Sequence, residues 1–206
     1  MFKKNLIIIT AFLTAAILFT NNAVASTNIT LEKQTKSINK VNKAENILST
    51  VDKYQEKYFT IVKRNDVLLQ FEDDKNLNKD RKELNKLFNE VKKKVTNKQY
   101  LKQYKEIEKR YSKCNEETTV GINEFMDKYY NEIDGLLNTV YKEVKATIPN
   151  DDFKKLVSSE KKWLKEVKDY EKVFDSMGFG TIGTLIYYEH EISMRKFRTL
   201  LLMLYL

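Results

Sequence analysis

The chain has 206 residues, of which 42% are hydrophobic and 32% are charged, and its formal net charge is +8. One proline and five glycines supply few turn signals, which argues against a β-sandwich with many short loops and favours long helices. A single cysteine excludes an intramolecular disulfide. We therefore predict an all-α fold, a bundle of about five to seven helices joined by short connections.

Residues 1–25 have the three parts of a secretory signal peptide. Lys3 and Lys4 form a positively charged start, Leu6–Phe19 is an apolar run, and Ala23-Val24-Ala25 is a small-residue cleavage motif. A membrane anchor is the alternative, but the apolar run is shorter than the roughly 20 residues of a spanning helix. We expect a secreted or periplasmic protein, cleaved near Ala25, with no membrane span in the mature chain.

A Lys-rich helical module, residues 44–112, is predicted after a polar, flexible lead-in at 26–43. Apolar residues at helical spacing predict three amphipathic helices, Ala44–Leu69, Asp80–Val95 and Gln99–Tyr111. Breaks are expected at the Asx-rich segment Phe71–Asn78 and at Thr96-Asn97. The module could form a helical hairpin of its own or pack against the rest of the chain, and the sequence leaves both arrangements open.

Charge is distributed unevenly along the chain. Residues 27–114 hold 22 Lys and Arg against 13 Asp and Glu, a net +9, whereas residues 115–206 hold 13 against 16, a net −3. The basic half suits an anionic wall polymer, lipid head groups or nucleic acid, and the acidic half suits a basic protein. A signal peptide argues against nucleic acid. A solvated lysine-rich surface with no partner is the alternative.

The stretch from Cys114 to Thr199 carries three further helical patterns. An apolar series at helical spacing predicts one buried face, made of Ile133, Leu136, Leu137, Val140, Tyr141 and Val144. Asp134 and Asn138 lie one turn apart on that helix, so their side chains can touch. The next helix starts after Pro149–Asp152 and buries a second series, Leu156, Trp163, Val167, Tyr170 and Phe174. A last helix follows Gly178–Thr184 and ends in Arg198-Thr199.

These patterns resemble the LprI-type domain, a bacterial cell-envelope domain of which some members are named lysozyme inhibitors. The family pattern is D-x-x-L-N-x-x-Y, then L-x-x-x-x-x-x-W, G-[ST]-I and R-T. In this chain it falls on Asp134, Leu137, Asn138, Tyr141, Leu156, Trp163, Gly180, Thr181, Ile182, Arg198 and Thr199. The resemblance implies that residues 113–206 form a helical domain of a non-enzymatic binding protein that inhibits a lysozyme. An envelope-associated module, held on anionic wall or membrane material by its basic half, is the alternative.

The resemblance departs from the family at its cysteines, which commonly occur in pairs. The corresponding positions, near Phe125, Glu171 and His190, carry no cysteine. We therefore expect the domain to be held together by core packing. Cys114 is predicted to be buried and inert, with a free thiol or a bond to another chain as alternatives.

The residues that catalysis or metal binding would require are missing from the sequence. The one histidine, His190, lies between Glu189 and Glu191, and consecutive helical side chains point about 100° apart, which favours a structural histidine over a metal ligand. The glycines of Gly178–Gly183 lack the lysine of a phosphate-binding loop and predict a tight turn, with Thr181 or Thr184 capping the last helix. We predict no catalytic residues, no metal and no cofactor.

Two structural predictions follow from the helix faces. Trp163 should be largely buried against Leu137, Tyr141 and residues of the last helix. Arg198 should pair with Asp134, with Asn138 bonding nearby backbone, because a polar group beside an apolar face needs a partner.

The glycine-rich loop is the predicted contact with a partner. Phe179, Gly180 and Thr181 could enter a substrate cleft as a small apolar projection beside backbone N–H groups. The alternative is that Phe179 folds back onto its own helix.

Overall fold

The computed structural model describes the backbone of residues 46–64, 74–177 and 180–206, and their side chains except those of 74–75, 173–177 and 180–182. The predicted signal peptide, the lead-in and Phe179 lie outside the described residues. So does most of the predicted break at Phe71–Asn78, up to residue 73.

Every regular element in the described ranges is a helix, and no strand occurs there, which confirms the all-α prediction. The helices are α1 (residues 46–64), α2 (Asp74–Lys94), α3 (Lys98–Arg110), α4 (Thr119–Thr147), α5 (Asn150–Met177) and α6 (Gly180–Met203). Across these ranges, none of the helices combines the length and the apolar character that crossing a membrane requires.

Three predicted boundaries are wrong. Helix α2 already begins at Asp74, so the later part of the predicted Asx-rich break is helical. Helix α6 continues past Thr199 to Met203 because the added residues are all fully buried. It starts at Gly180, so Thr181 and Thr184 lie within the helix and do not cap it.

Side-chain caps fix the starts of α3 and α4. The Asn97 side chain accepts a hydrogen bond from the backbone N–H of Tyr100 at 3.1 Å, and the predicted break at residues 96–97 is confirmed. Thr118 does the same for Gly121 at 3.1 Å. A Cβ at Gly121 would lie 2.6 Å from Oε2 of Glu116, so the connection before α4 packs tightly over its first turn. Each cap pairs an N–H group that the helix itself leaves unpaired.

Helix α6 lies at the centre of the core. Leu200, Leu201 and Leu202 are fully buried, and Phe197 stacks on Tyr58 of α1 with ring centroids 4.7 Å apart. Phe88 of α2 meets the same Phe197 edge-on at 5.0 Å. Helices α1 and α2 therefore pack directly on α6, which answers the question that the sequence left open.

The members of the two predicted helix faces are buried or half-buried wherever their side chains are described, and the side chain of Phe174 lies outside the described residues. On α4, Ile133 and four further residues of the series are buried, and Tyr141 is half-buried beside Phe153 at 5.7 Å. On α5, Trp163 keeps 5% of its surface exposed, which confirms its burial. Since Leu164, the next residue, is 48% exposed, the boundary between the buried and the exposed side of α5 lies between these two residues.

Side-chain contacts fix how the last three helices run. Tyr130 meets Tyr188 and Asp134 bonds Arg195, so α4 and α6 are parallel and in step. Helix α5 runs antiparallel to them. The first half of α4, the last turns of α5 and the first half of α6 are therefore brought together at one end.

Candidate functional site

The three residues predicted to contact a partner are placed only in part. Gly180 is the first residue of α6 and Thr181 the second, so both belong to a helix. The side chain of Thr181 and the whole of Phe179 lie outside what the structure describes. The contact made by this segment therefore stays a prediction.

The predicted pairing of Asp134 with Arg198 is wrong, because the partner of Asp134 is Arg195. The Arg195 Nε donates to Asp134 Oδ1 at 3.0 Å. Asn138 Nδ2 donates to Asp134 Oδ2 at 2.8 Å and to the Asp134 backbone carbonyl at 3.0 Å, as expected for Asn138. Residues three apart on a helix differ in direction by about 60°. Arg195 therefore faces α4, while Arg198 faces α1 and α5.

Arg198 is the centre of a buried polar network instead. Its guanidinium donates to Glu160 Oε1 on α5, with an Nε distance of 3.0 Å, and to the Gln55 side chain on α1. Ser159 accepts from Arg198 at 3.3 Å and donates to Asp52 at 2.8 Å. The network joins α1, α5 and α6, and because the Arg198 side chain is fully buried it is structural.

Arg195 fixes the geometry of the end where α4, α5 and α6 meet. Besides Asp134 it bonds Glu191, a carboxylate that is 1% exposed, and its guanidinium lies 4.3 Å from the centroid of the Tyr130 ring. Burial raises the pKa of Glu191, although the charge of Arg195 opposes the rise. An ion pair with a planar, stacked guanidinium holds the tyrosine rigidly in place.

Aromatic side chains cluster at this same end. Tyr111 stacks on Tyr129 with centroids 4.6 Å apart and planes within 3°. Tyr130 and Tyr187 each contact Tyr188 edge-on, at 6.4 and 6.2 Å. Four of these rings, those of residues 129, 130, 187 and 188, are half-buried, so part of each ring faces solvent.

The charge of this end is negative. We define the acidic end as residues 112–134, 168–172 and 183–191. Apart from the ion pair of Glu191 and Arg195, this end holds nine Asp and Glu against four Lys, a net −5. Residues 112–120 are all exposed, and Val120 among them is 68% exposed. An acidic surface with aromatic rings and an exposed apolar side chain has the features of a protein-binding surface.

Sequence reasoning missed this end because charge was counted over halves of the chain. A count over residues 112–134 alone gives six acidic residues against two lysines. The adjacent tyrosine pairs at 129–130 and 187–188 are visible in the sequence as well. What the sequence lacks is the parallel register of α4 and α6 that places the two pairs together.

The structure places His190 and Cys114 in different environments, since His190 is half-buried and Cys114 is exposed. Burial lowers the pKa of half-buried His190 to about 4, so the ring is neutral at pH 7, and it lies 5.0 Å from the Tyr170 ring. The described residues contain no group of three or more His, Cys, Asp or Glu suited to a metal ion. The prediction that Cys114 is buried is wrong. It is a free, exposed thiol, because the connection at 112–118 runs over the surface.

Comparison with known protein families identifies a match in the second half of the chain. Residues 110–202 match the family model described as "Lysozyme inhibitor LprI". The matched segment includes all of α4 and α5, nearly all of α6 and the whole acidic end. It amounts to 93 of the 206 residues, and these form an LprI-type domain. No curated protein and no solved structure matches the chain.

Proposed function

We propose that the protein is a secreted or periplasmic, non-enzymatic binding protein that inhibits a lysozyme through the acidic end of its LprI-type domain. One observation carries the proposal. The matched segment gathers a net charge of −5 and a half-exposed tyrosine cluster on one end of three packed helices. The family description names the activity, and the acidic end supplies a surface suited to it.

Electrostatics favours this end over the rest of the chain. Lysozymes of the animal type are strongly basic, so an acidic surface raises the rate of association and orients the encounter. If a basic surface faced a basic enzyme instead, repulsion between like charges would weaken binding by several kcal/mol. The net positive charge of the whole chain is then not an obstacle, because it is carried elsewhere.

The tyrosines supply the short-range part of the binding. Tyrosine is enriched at binding hot spots, since it buries a large rigid ring and keeps a hydroxyl for hydrogen bonding. Tyr130 is held between Arg195 and Tyr188, so little side-chain entropy remains to be lost on binding. Gly180 begins α6 at this end, and the proposed contact surface therefore keeps Phe179, Gly180 and Thr181 as candidate contacts.

An inhibition assay on charge reversals inside and outside the acidic end tests the proposal. The mature chain is titrated against a basic lysozyme, and the double variant Glu124→Lys/Asp127→Lys is compared with Glu143→Lys. All three carboxylates are exposed on α4, but Glu143 lies outside the acidic end. We expect the double variant to lose inhibition by roughly tenfold or more and the control to keep it. Equal loss in both variants, or no inhibition by the unchanged protein, would contradict the proposal.

A second function is favoured by a different surface. We define the basic face as residues 76–110 of α2, α3 and their connection. It holds twelve Lys and Arg against five Asp and Glu, a net +7, and eleven of the twelve are exposed. We propose that this face attaches the protein to anionic wall or membrane material. Release from isolated envelopes by rising salt is expected, because interactions between exposed charges are screened. Retention at high salt would contradict it.

A further inference from the structure

We propose that the pocket between α2, α3 and α6 is a binding site for a glycerol phosphate unit, a phosphodiester flanked by hydroxylated carbons. This inference rests on the second proposed function, attachment by the basic face. It specifies the chemical class of ligand that a pocket on that face would bind. Such a unit occurs in anionic wall polymers and in the head groups of anionic lipids. Both sources share the chemistry that the pocket would bind.

The pocket is formed by one face of α2, one face of α6 and Glu108 of α3. Arg81, Asn85 and Asn89 follow one another at intervals of four residues, so they form one row along α2. Ser193 and Lys196 lie opposite on α6. The volume is about 270 Å³. Pockets for drug-sized ligands start at roughly 300 Å³, so this one suits a single small unit of a polymer or lipid.

A bridged pair of lysines gives the pocket its charge. Lys92 Nζ lies 2.7 Å from Glu108 Oε2, and Lys196 Nζ lies 3.1 Å from Glu108 Oε1. One carboxylate therefore lies between two ammonium groups, and with Arg81 the pocket has a net charge of +2. Each of these lysines keeps only about a quarter or less of its side-chain surface exposed.

The pKa shifts agree with this geometry. Burial alone would raise the pKa of Glu108, but the hydrogen bond from Lys92 and the charge of Lys196 lower it. Burial alone would lower the pKa of Lys196, but Tyr129 and Glu108 raise it. Lys196 and Glu108 are therefore both charged at pH 7, and an incoming anion meets a fixed cation at Lys196.

The remaining side chains match the rest of a glycerol phosphate unit. The amides of Asn85 and Asn89 can donate to phosphate oxygens and accept from ligand hydroxyl groups. Leu84 and Phe88 present apolar surface for the carbon chain. Phe88 is held in place by its contact with Phe197 at 5.0 Å, so this wall of the pocket is rigid.

The surroundings favour the entry of an anion and disfavour a cation. The pocket opens on the basic face, whose net charge of +7 raises the local concentration of anions. Its one carboxylate, Glu108, already has two lysine partners. Lys92 and Lys196 are partly buried cations. They gain a favourable electrostatic interaction from an anionic ligand, but not from a neutral or cationic one.

Binding of soluble glycerol phosphate to the mature chain, followed by NMR shifts or calorimetry at low salt, is the direct test. The pocket variant Lys196→Met is compared with Lys102→Met, which removes the same charge from an exposed site on α3 outside the pocket. We expect Lys196→Met to weaken binding about tenfold or more, as for the loss of a charge-assisted hydrogen bond, and Lys102→Met to weaken it less than about twofold.

A neutral pair of variants separates the pocket from the overall charge. Asn89→Leu blocks the pocket without changing any charge, and Gln99→Leu makes the same kind of change at an exposed position on α3. We expect Asn89→Leu to weaken binding severalfold with an unchanged melting temperature, and Gln99→Leu to have no effect. Should Lys196→Met fail to fold, this pair still decides the question.

Two further ligands distinguish the sources of the unit. Vesicles with phosphatidylglycerol, against vesicles with phosphatidylcholine only, test the lipid source, and soluble poly(glycerol phosphate) tests the wall-polymer source. Binding of either that is lost in Asn89→Leu supports the pocket. No saturable binding, or equal loss from Lys196→Met and Lys102→Met, would overturn it. In the second case attachment by diffuse charge would still stand, so the two proposals fail separately.

Discussion

The acidic end and the basic face differ in how their charges are held. At the acidic end, the buried Glu191 pairs with Arg195, and most other carboxylates are exposed around half-buried tyrosines. On the basic face, eleven cations are exposed, and one carboxylate, Glu108, is bridged by two lysines at the edge of a pocket. The first arrangement suits a flat contact with a basic protein, and the second suits small anionic groups. One chain thus offers two surfaces of opposite sign, although its overall charge points to only one kind of partner.

The largest expected effect is a loss of folding stability when the shared hydrophobic core, which supports both regions, is truncated. Trp163→Ala should lower the free energy of unfolding by roughly 3–5 kcal/mol, the range for truncating a buried large aromatic. Leu164→Ala, on the exposed side of the same helix, should change it by less than about 0.5 kcal/mol. Urea denaturation of the two variants checks this. A small loss for Trp163→Ala would mean that the two regions do not depend on this core.

A smaller effect is expected on lysozyme binding, which should depend on a tyrosine of the acidic end and not on a tyrosine of the basic face. Tyr188→Ala at the acidic end should weaken lysozyme binding by about 2 kcal/mol, the size of a hot-spot truncation. Tyr100→Ala, a half-buried tyrosine on the basic face, is the control and should leave binding unchanged. Titration calorimetry measures both. If Tyr100→Ala weakened binding more, the assignment of the two surfaces would have to be reversed.

The smallest effect is a pair of opposite pH dependences. The folded-state pKa of Glu191 is raised by burial, so its contribution to stability is present at acid pH and falls as pH rises through and above about 4.5. The pKa of Glu108 is lowered by its lysines, against burial, so its contribution is present at neutral pH and is lost as pH falls. Glu191→Gln should therefore cost more stability at pH about 4 than at pH about 7, and Glu108→Gln should cost more at pH about 7 than at pH about 4. Denaturation curves of both variants at the two pH values measure these costs. If both substitutions cost more stability at the same pH, the environment of one carboxylate would be wrong.

Much of the fold is predictable because apolar residues recur at helical spacing in the long segments of the sequence. The apolar series on α4 and the position of Trp163 on α5 follow from spacing alone, and the structure buries both. Helix starts are harder. At Asp74 the same Asx residues that favour a turn also suit a first helical turn, and the sequence does not decide between them.

The polar contacts are less predictable because they depend on how helices rotate against one another. Arg195 and Arg198 are three residues apart, and a rotation of α6 by about 60° decides which of them meets Asp134. The spacing of four between Glu191 and Arg195 is a signal that could have favoured Arg195. The pocket at Lys196 had no such signal, because its residues come from three helices.

The proposed binding of a lysozyme to the acidic end can be measured by hydrogen–deuterium exchange of the protein, alone and with a basic lysozyme. Binding at this end should slow exchange in residues 119–132 and 183–191 and leave exchange in residues 76–110 unchanged. Slowed exchange confined to residues 76–110, or no change anywhere with lysozyme in excess, would contradict it.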